Sequence, residues 1–410
     1  MPKVYHSSIK LDDGSVICDS EIYNFCKLTH KYNIKASDDP ELFSGLIRLK
    51  GLGALDEVDG VYSLAYFSRD SVVLARDIIG VKPLFYSTDK GLAFSFIRND
   101  LIKIGYKNVF ELKPTKMLRY DRNTRKITFI NRRFFSVRPE LSSSEGVIVQ
   151  NLLGMFVEAV DKRLPNKKFG VLFSGGIDST LISQVCKRLK GNFVCYNAYF
   201  DYPGVQKSED FVYAGRVVKK LGFRLKVVKV DLKKAERMVK RLVPLVGPDA
   251  VKVGVALPAF AACELAKKDG CNFVFSGLGS EELFAGYLRH KESSDVNKEC
   301  LKGLLQMYER DTYRDYVVAD LNHVKIEVPF LDTQLVDYSL KVPARFKLNK
   351  GVEKCIIRKV ALDLGIPEEF AFRKKKAAQY GSNSDKALSK LARLNGFKYK
   401  KDYLNSLMSL

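Results

Sequence analysis

The chain predicts an α/β protein of two domains, a β-rich one followed by one built on a parallel sheet. Three observations carry this. Residues 1–140 hold short apolar runs of strand length, strands alternate with helical periods from residue 146 onward, and the polar stretch "RPELSSSEG" (138–146) separates the two patterns as a linker. A length of 410 residues suits two ordinary domains.

In the first domain, "GVYSLAYFS" (60–68), "SVVLARD" (71–77) and "PLFYST" (83–88) alternate or run apolar, and "GLAFSF" and "KMLRYD" continue the style. The second domain spans 146–385. It opens with "VIVQNLLGMFVEAVDKRL", where Leu152, Phe156 and Val160 share one helix face. A strand ending in "FSGG" follows, then a helix through Leu181, Val185 and Leu189. "NFVCYNAYF" reads as a strand, "EDFVYAGRVVKKLG" as a helix ending at Gly222, "FRLKVVKVD" as a strand, "PAFAACELAKKDG" as a helix and "NFVFSG" as a strand. Strands alternating with helices imply parallel pairing. The last hundred residues read helical, closing with a basic amphipathic tail over 386–410 suited to packing or partner binding.

Composition narrows the function classes. The chain is 46% hydrophobic, with no apolar run of membrane-spanning length and no signal-peptide core in "MPKVYHSSIKLDD", so a soluble cytoplasmic protein is expected. Its eight cysteines are scattered, with no C-x-x-C pair and only four histidines, which argues against zinc, iron–sulfur and redox-pair chemistry. The net charge of +22 fits either a lysine-rich surface or contact with a polyanion such as ATP or tRNA.

The sharpest motif is "VLFSGGIDSTLIS" (171–183). A parallel strand that ends in a Gly-rich turn and opens a helix gathers backbone N–H groups at the positive end of the helix dipole, which is an anion site. Ser174, Ser179 and Thr180 add hydroxyls, and Gly175 and Gly176 let the backbone approach phosphate without Cβ clashes. Asp178 repels phosphate directly, so an acid there implies a bridging Mg²⁺. The kinase and GTPase loop G-x-x-x-x-G-K-[ST] is absent, and the chain has no Gly-Lys dipeptide.

Ser174-Gly175-Gly176-Ile177-Asp178-Ser179 resembles the pyrophosphate loop of ATP pyrophosphatases, and the chain resembles the asparagine synthetase family over most of its length. "SGLGSEELFAGY" (276–287) is similar to the family's S-G-E-G-[AS]-D-E-x-F-G-G-Y, "PFLD" (329–332) is another signature, and "EKCIIRK" (353–359) resembles the late K-x-x-L-R segment. In the first domain "SEIYN" (20–24), "DG" (59–60) and "ARDIIGVKPLFYS" (75–87) resemble the class II glutaminase domain. The version of the family found in divergent asparagine synthetase domain-containing proteins is the most similar, through "RKKKAAQYGS" (373–382).

The resemblance implies a shortened Ntn-like αββα glutaminase-type domain, then an ATP-pyrophosphatase domain of the adenine nucleotide alpha hydrolase type. It implies ATP and Mg²⁺, with Asp178 and Asp311 holding the metal; Asp311 lies eighteen residues before Pro329. Ser174, Gly175, Gly176 and Ser179 would cradle the pyrophosphate, with Gly277 also in the nucleotide site and Asp210 toward the adenosine. Lys354, Asp311 and Glu282 would serve catalysis, and Arg373 with Lys375 would close over the triphosphate.

Three departures qualify this. No N-terminal cysteine nucleophile follows Met1, and the first cysteine is Cys18, so glutamine hydrolysis in this domain is not expected; Glu21 and Asp39 remain as remnants of a glutamine pocket. The family glutamate of S-G-E-G is Leu278, which can neither accept a proton nor orient an amine, while Glu281 stands for the family aspartate. The family's Glu-x-Arg before P-F-L-D is Lys325-Ile326-Glu327, an exchange that either keeps a local ion pair or alters substrate recognition.

The expected function is an adenylate-forming ligase. It joins a carboxylate, aspartate by default, to ammonia or another amine, with ammonia free or supplied by a separate glutaminase. An ATP pyrophosphatase acting on tRNA and a non-catalytic ATP- or partner-binding relative are the alternatives.

Overall fold

The computed structural model describes residues 3–6, 11–374 and 376–408. It divides into two units, Met1–Phe134 with Gln306–Tyr313, and Phe135–Leu305 with Arg314–Leu410.

The first unit contains strands β1 (Tyr5–His6), β2 (Ser15–Ile22), β3 (Gly60–Phe67), β4 (Ser71–Arg76), β5 (Phe85–Ser87), β6 (Ala93–Ser95), β7 (Phe110–Glu111), β8 (Lys116–Asp121) and β9 (Ile127–Asn131). They form two antiparallel sheets, ordered β2-β3-β4-β8-β9 and β1-β6-β5-β7. Alternation along β3 and β4 sets the layers. Tyr62, Leu64, Val73 and Ala75 pack with Leu42, Phe43 and Leu46 of a helical layer, while Ala65, Phe67, Val72 and Leu74 pack with Leu84, Phe94 and Leu112. Each such Leu or Phe contributes about 1.5–3 kcal/mol by burial.

That helical layer is α1 (Phe25–Tyr32) and α2 (Asp39–Lys50), which a purely β reading of this region omits. Asp38 caps α2 by accepting from the Glu41 amide at 3.0 Å, and Pro40 sits in the first turn. A short helix α3 (Arg98–Lys103) packs against β5 and β6.

In the second unit, α4 (Glu145–Asp161) leads into a five-stranded parallel sheet of β10 (Phe169–Leu172), β11 (Phe193–Phe200), β12 (Leu225–Val230), β13 (Phe273–Phe275) and β14 (Lys325–Glu327). The order β12-β11-β10-β13-β14 reverses direction beside β10. Such a switch point opens a crevice at the carboxyl ends of the central strands. Helices α5 (Ile177–Arg188), α6 (Glu209–Leu221), α7 (Leu232–Val246) and α8 (Ala250–Lys268) connect the strands. Gly222, in the left-handed region at φ 70°, ends α6 as expected. Helix α7 has no counterpart in the sequence reading, although Ala235, Met238, Val239, Leu242 and Val246 bury one face at helical spacing. In the tail, Leu388, Leu391, Tyr403 and Leu404 are buried, so its helices pack rather than extend. No helix among the described residues is long and apolar enough to cross a membrane.

Candidate active site

The turn after β10 is built for close approach. Gly175 adopts φ +71°, and a Cβ there would stand 2.9 Å from the Ala214 backbone nitrogen of α6. Only glycine combines that backbone with that neighbour. Gly176 begins α5, and its carbonyl accepts from Ser179 Oγ at 3.1 Å and Thr180 Oγ1 at 2.8 Å. Ser174 Oγ accepts from the Gly176 amide at 3.2 Å. The hydroxyls of Ser174, Ser179 and Thr180 thus brace the turn, and the first amides of a twelve-residue helix face its mouth.

A second turn, after β13, meets this one across the crevice. A Cβ on Gly277 would lie 2.8 Å from Asp178 Cβ, so the two turns touch there. Gly279 (φ +97°) precedes the one-turn helix α9 (Ser280–Leu283), packed close to Leu331. Ser280 Oγ donates to Asp178 Oδ1 at 2.5 Å.

Lys354 joins the two turns. Its ammonium donates to Asp178 Oδ1 at 2.8 Å and Oδ2 at 2.7 Å, and pairs with Glu281 Oε1 at 2.9 Å. The side chain is 2% exposed. Burial alone would lower its pKa, but the Asp178 and Glu281 carboxylates outweigh that and hold it raised. Its backbone is left-handed at φ 59°, a conformation that costs a non-glycine residue about 1–2 kcal/mol. Gly286 makes room, because a Cβ there would fall on Glu281 Oε2 and 2.6 Å from Lys354 Cε.

The carboxylate that faces Lys354 is Glu281. Glu282 is turned away from it, its Cγ lying 3.4 Å from where a Gly303 Cβ would be. One residue along a helix is a rotation of about 100°, enough to send neighbouring acids to opposite sides.

A cavity of about 240 Å³ opens beside the two turns. Ser174, Asp178, Ser179, Asp210, Gly277 and Leu278 all line it, with apolar walls from Leu172, Val255, Pro258 and Ala262. Leu278 therefore faces the pocket, as its place in the motif implies. Helix Tyr313–Asn322 contributes Arg314 and Asp315, paired at 2.7 Å. The acid of this segment in the pocket wall is thus Asp315. Asp311, one turn earlier, belongs to the first unit, where its carboxylate accepts from Arg310 Nε at 2.5 Å. The structure brings together Ser174, Gly175, Gly176, Asp178, Ser179, Gly277, Asp210 and Lys354. Ser280, Glu281, Gly286, Arg314 and Asp315 complete the site; Ser280, Glu281 and Gly286 lie inside the quoted "SGLGSEELFAGY".

Two further motifs resolve into scaffolding. Glu327 of β14 faces Arg163, its Oε2 3.9 Å from Nε, and Arg163 Nη1 binds Asp332 at 3.0 Å. Of the exchanged charges before "PFLD", Glu327 thus joins a buried ion network while Lys325 is exposed; Asp332 caps the helix Thr333–Lys341 and Phe330 stacks on Phe156 at 4.6 Å. In the first unit, Asp77 of "ARDIIGVKPLFYS" accepts from the amides of Gly80, Val81 and Lys82.

The glutamine-pocket remnants are engaged as well. Lys82 Nζ lies 3.0 Å from Asp19 and 3.6 Å from Glu21, and Ser20 Oγ donates to Asp39 at 2.7 Å. Burial pushes the Cys18 thiol up to about 11, far from a thiolate nucleophile at neutral pH. Lys375 lies outside the described residues.

The family model for asparagine synthase matches residues 151–298 and 290–396, and a glutamine amidotransferase domain model matches residues 8–99. A putative glutamine-hydrolyzing asparagine synthetase of Methanocaldococcus jannaschii is 29% identical, over 94% of this chain and 81% of its own length. A probable asparagine synthetase of Acanthamoeba polyphaga mimivirus is 27% identical over 88% of this chain and 71% of its own length. The Homo sapiens asparagine synthetase is also 27% identical, over 90% and 72%. Among solved structures, an NMN synthetase from Francisella tularensis aligns at 12% identity and a TM-score of 0.33, covering 65% of this chain and 94% of that one. With its sequence matched from the phosphate turn through the Lys354 segment, the chain belongs to the asparagine synthase family.

Proposed function

We propose that the second unit is an ATP-dependent carbon–nitrogen ligase that adenylates a carboxylate and passes the acyl group to ammonia or another amine. The observation that carries this reading is the buried ammonium of Lys354 held between Asp178 and Glu281 at the mouth of the phosphate turn. Aspartate is the default acid, from the names of the relatives.

In the first step a carboxylate oxygen attacks the α-phosphorus of ATP, the α–β bridging P–O bond breaks, and pyrophosphate leaves. The α5 amides and the serine hydroxyls bind the departing pyrophosphate, and the Lys354 ammonium meets the charge developing on phosphate oxygens. In the second step the amine nitrogen attacks the acyl carbon, AMP leaves, and a proton is released. The point on which the Asp178 and Glu281 carboxylates converge is taken by the Lys354 ammonium, and among the described residues no group of three or more His, Cys, Asp or Glu could hold a metal ion.

Leu278 bears on the second step. A leucine in the pocket wall cannot deprotonate or orient an attacking amine. An amine that arrives neutral, such as free ammonia, meets this constraint best. Ammonia from solution or from a separate glutaminase fits this reading.

ATP–pyrophosphate exchange with Mg²⁺, with and without aspartate and with a panel of other carboxylates, tests the reading. Carboxylate-dependent exchange supports adenylation. Measurable ATP binding without exchange for any acid favours a non-catalytic relative. A second reading, tRNA as acceptor, is favoured by one observation: Lys207 and Lys374 line a groove with Tyr213, beside Arg373 and Lys376, which are paired with Asp210 and Glu209. Steeply salt-dependent tRNA binding would support it.

A further inference from the structure

Behind the phosphate turn lies an ion pair that the adenylation chemistry above does not use. Arg373 Nη1 donates to the Ser174 carbonyl at 3.0 Å, and its Nη2 donates to Asp210 Oδ1 at 2.8 Å. Both side chains are nearly buried, at 11% and 6% exposure. The guanidinium carbon lies 4.1 Å from the centroid of the Tyr213 ring, which fixes the plane of the fork.

The geometry constrains what Arg373 can do. Two of its three nitrogens are committed, one to a carbonyl and one to a carboxylate that offsets its charge. It is poorly placed to act as a free cation closing over a triphosphate. It is well placed to orient a peptide. In a trans peptide the C=O and the following N–H point in opposite directions. Holding the Ser174 oxygen toward Arg373 turns the Gly175 N–H to the other side of the turn. Together with φ +71° at Gly175, that sets the direction of the first amide of the anion site.

The partners of the pair are themselves pinned. Asp210 lies in the first turn of α6, whose cap Ser208 receives the Phe211 amide at 3.2 Å and donates to the Gly381 carbonyl at 2.8 Å. The Phe200 amide at the end of β11 donates to the Ser382 carbonyl at 2.9 Å, and Asn383 Nδ2 donates to Gln206 O at 2.7 Å. Gly381 packs so tightly that a Cβ would stand 2.5 Å or less from the Asp210 carboxylate oxygens. Residues 381–383 are therefore tied across β11 and α6, and Arg373 reaches under the turn.

We propose that Arg373, held by Asp210 and the Gly381 contact, is a positioning residue that presets the Ser174–Gly175 peptide for nucleotide phosphate. This rests on the ATP reading of the pocket. The test measures ATP affinity by calorimetry and KM and kcat by exchange, for wild type, Arg373→Lys, Arg373→Met and Gly381→Ala, each with a thermal melt. Gly381→Ala changes no residue of the turn; it acts by displacing the Asp210 carboxylate, which also lines the pocket.

The expected result is a weakening of ATP binding by tenfold or more in Arg373→Met and Gly381→Ala. Arg373→Lys should recover part of the loss, and kcat should change less than KM. The Arg373→Met and Gly381→Ala losses should not multiply in the double variant, because both break one linkage. Three results would overturn the proposal: unchanged ATP affinity with only a lowered Tm, a silent Gly381→Ala beside a damaging Arg373→Met, or a loss confined to kcat, which marks a direct phosphate contact. A wild-type protein that binds no ATP would instead defeat the nucleotide reading itself.

Discussion

Lys354 and Asp178 are 176 positions apart and meet in a bidentate contact of 2.7 and 2.8 Å. The contact ties the phosphate turn to the start of the helix Cys355–Asp363. Removing one member of a buried pair leaves the other charge uncompensated, at about 3–5 kcal/mol. Here Glu281 remains as a second anion, so Lys354→Met strands two carboxylates, whereas Asp178→Asn leaves Lys354 one partner. Lys354→Met is therefore expected to lower the melting temperature more than Asp178→Asn, while both reduce pyrophosphate exchange at least a hundredfold. Because the folded pKa of Lys354 is raised, its stabilisation is complete below the ordinary lysine range and lost only above it. Neither variant should alter the slope of stability against pH between 6 and 9.

Gly286 offers a gentler test of the same cluster. Gly286→Ala keeps every charge but places a methyl group against Glu281 Oε2 and Lys354 Cε. The backbone at Gly286 lies outside the left-handed region, so the substitution itself is unstrained. Exchange is expected to fall ten- to a hundredfold with little change in the unfolding midpoint, since a small misplacement of a catalytic group is costly while the surrounding core is untouched. Full activity in Gly286→Ala would mean that the Glu281–Lys354 geometry does not limit the reaction.

Much of this site is legible in the chain because its parts are local. The "SGGIDS" turn is a strand, two glycines and a helix start, and each leaves its own mark within ten residues. The parallel sheet shows for the same reason, through changes of period. The parts that escape are set by contacts distant in sequence or by single steps of helix phase. Glu281 and Glu282 are adjacent identical residues, and only the packing of α9 decides which one faces Lys354. Asp315 stands in the pocket wall four residues after Asp311 on a helical repeat, and nothing local in the chain marks it. The Arg373–Ser174 contact spans 199 positions with no local mark. Helix α2 does carry marks, the Asp38 cap and Pro40, but it sits among strands whose alternation dominates the reading. The β-rich expectation for the first domain is right for its sheets and blind to the layer that covers one of them.

The first unit makes its own prediction. A thiol with a pKa of about 11 is only about 0.1% ionised at pH 8. Cys18 also contacts Ser20 Oγ at 3.3 Å, while Cys26 is exposed. Brief treatment with iodoacetamide at pH 8, followed by peptide mass spectrometry, should label Cys26 well before Cys18. Cys18→Ser should leave ammonia-dependent turnover unchanged. Rapid alkylation of Cys18, or loss of a glutamine-dependent activity in Cys18→Ser, would return this domain to glutamine chemistry.

Asp210 supplies the sharpest dependence on pH. Burial pushes its carboxyl up to about 6 from an ordinary 3.8, with Arg373 offsetting part of the effect. Between those two values the folded protein holds a proton that the unfolded chain has released. By linkage, stability then falls as pH rises through this window, by up to roughly 3 kcal/mol for a two-unit shift. Above the window the cost is constant, and the carboxylate is available to Arg373. Two measurements follow. Denaturant unfolding of the wild type between pH 4 and 6.5 should show a component falling with pH that Asp210→Asn lacks; other groups titrate equally in both, so the difference isolates Asp210. ATP affinity should move the opposite way, rising as pH increases through 6, because only the ionised carboxylate holds Arg373 against the Ser174 carbonyl. Glu209 and Lys376 also face this carboxylate, and their mutual ion pair persists across the range. An Asp210→Asn protein that keeps the wild-type pH profile for both stability and ATP binding would show that this carboxyl titrates outside the window and leaves the turn unaffected.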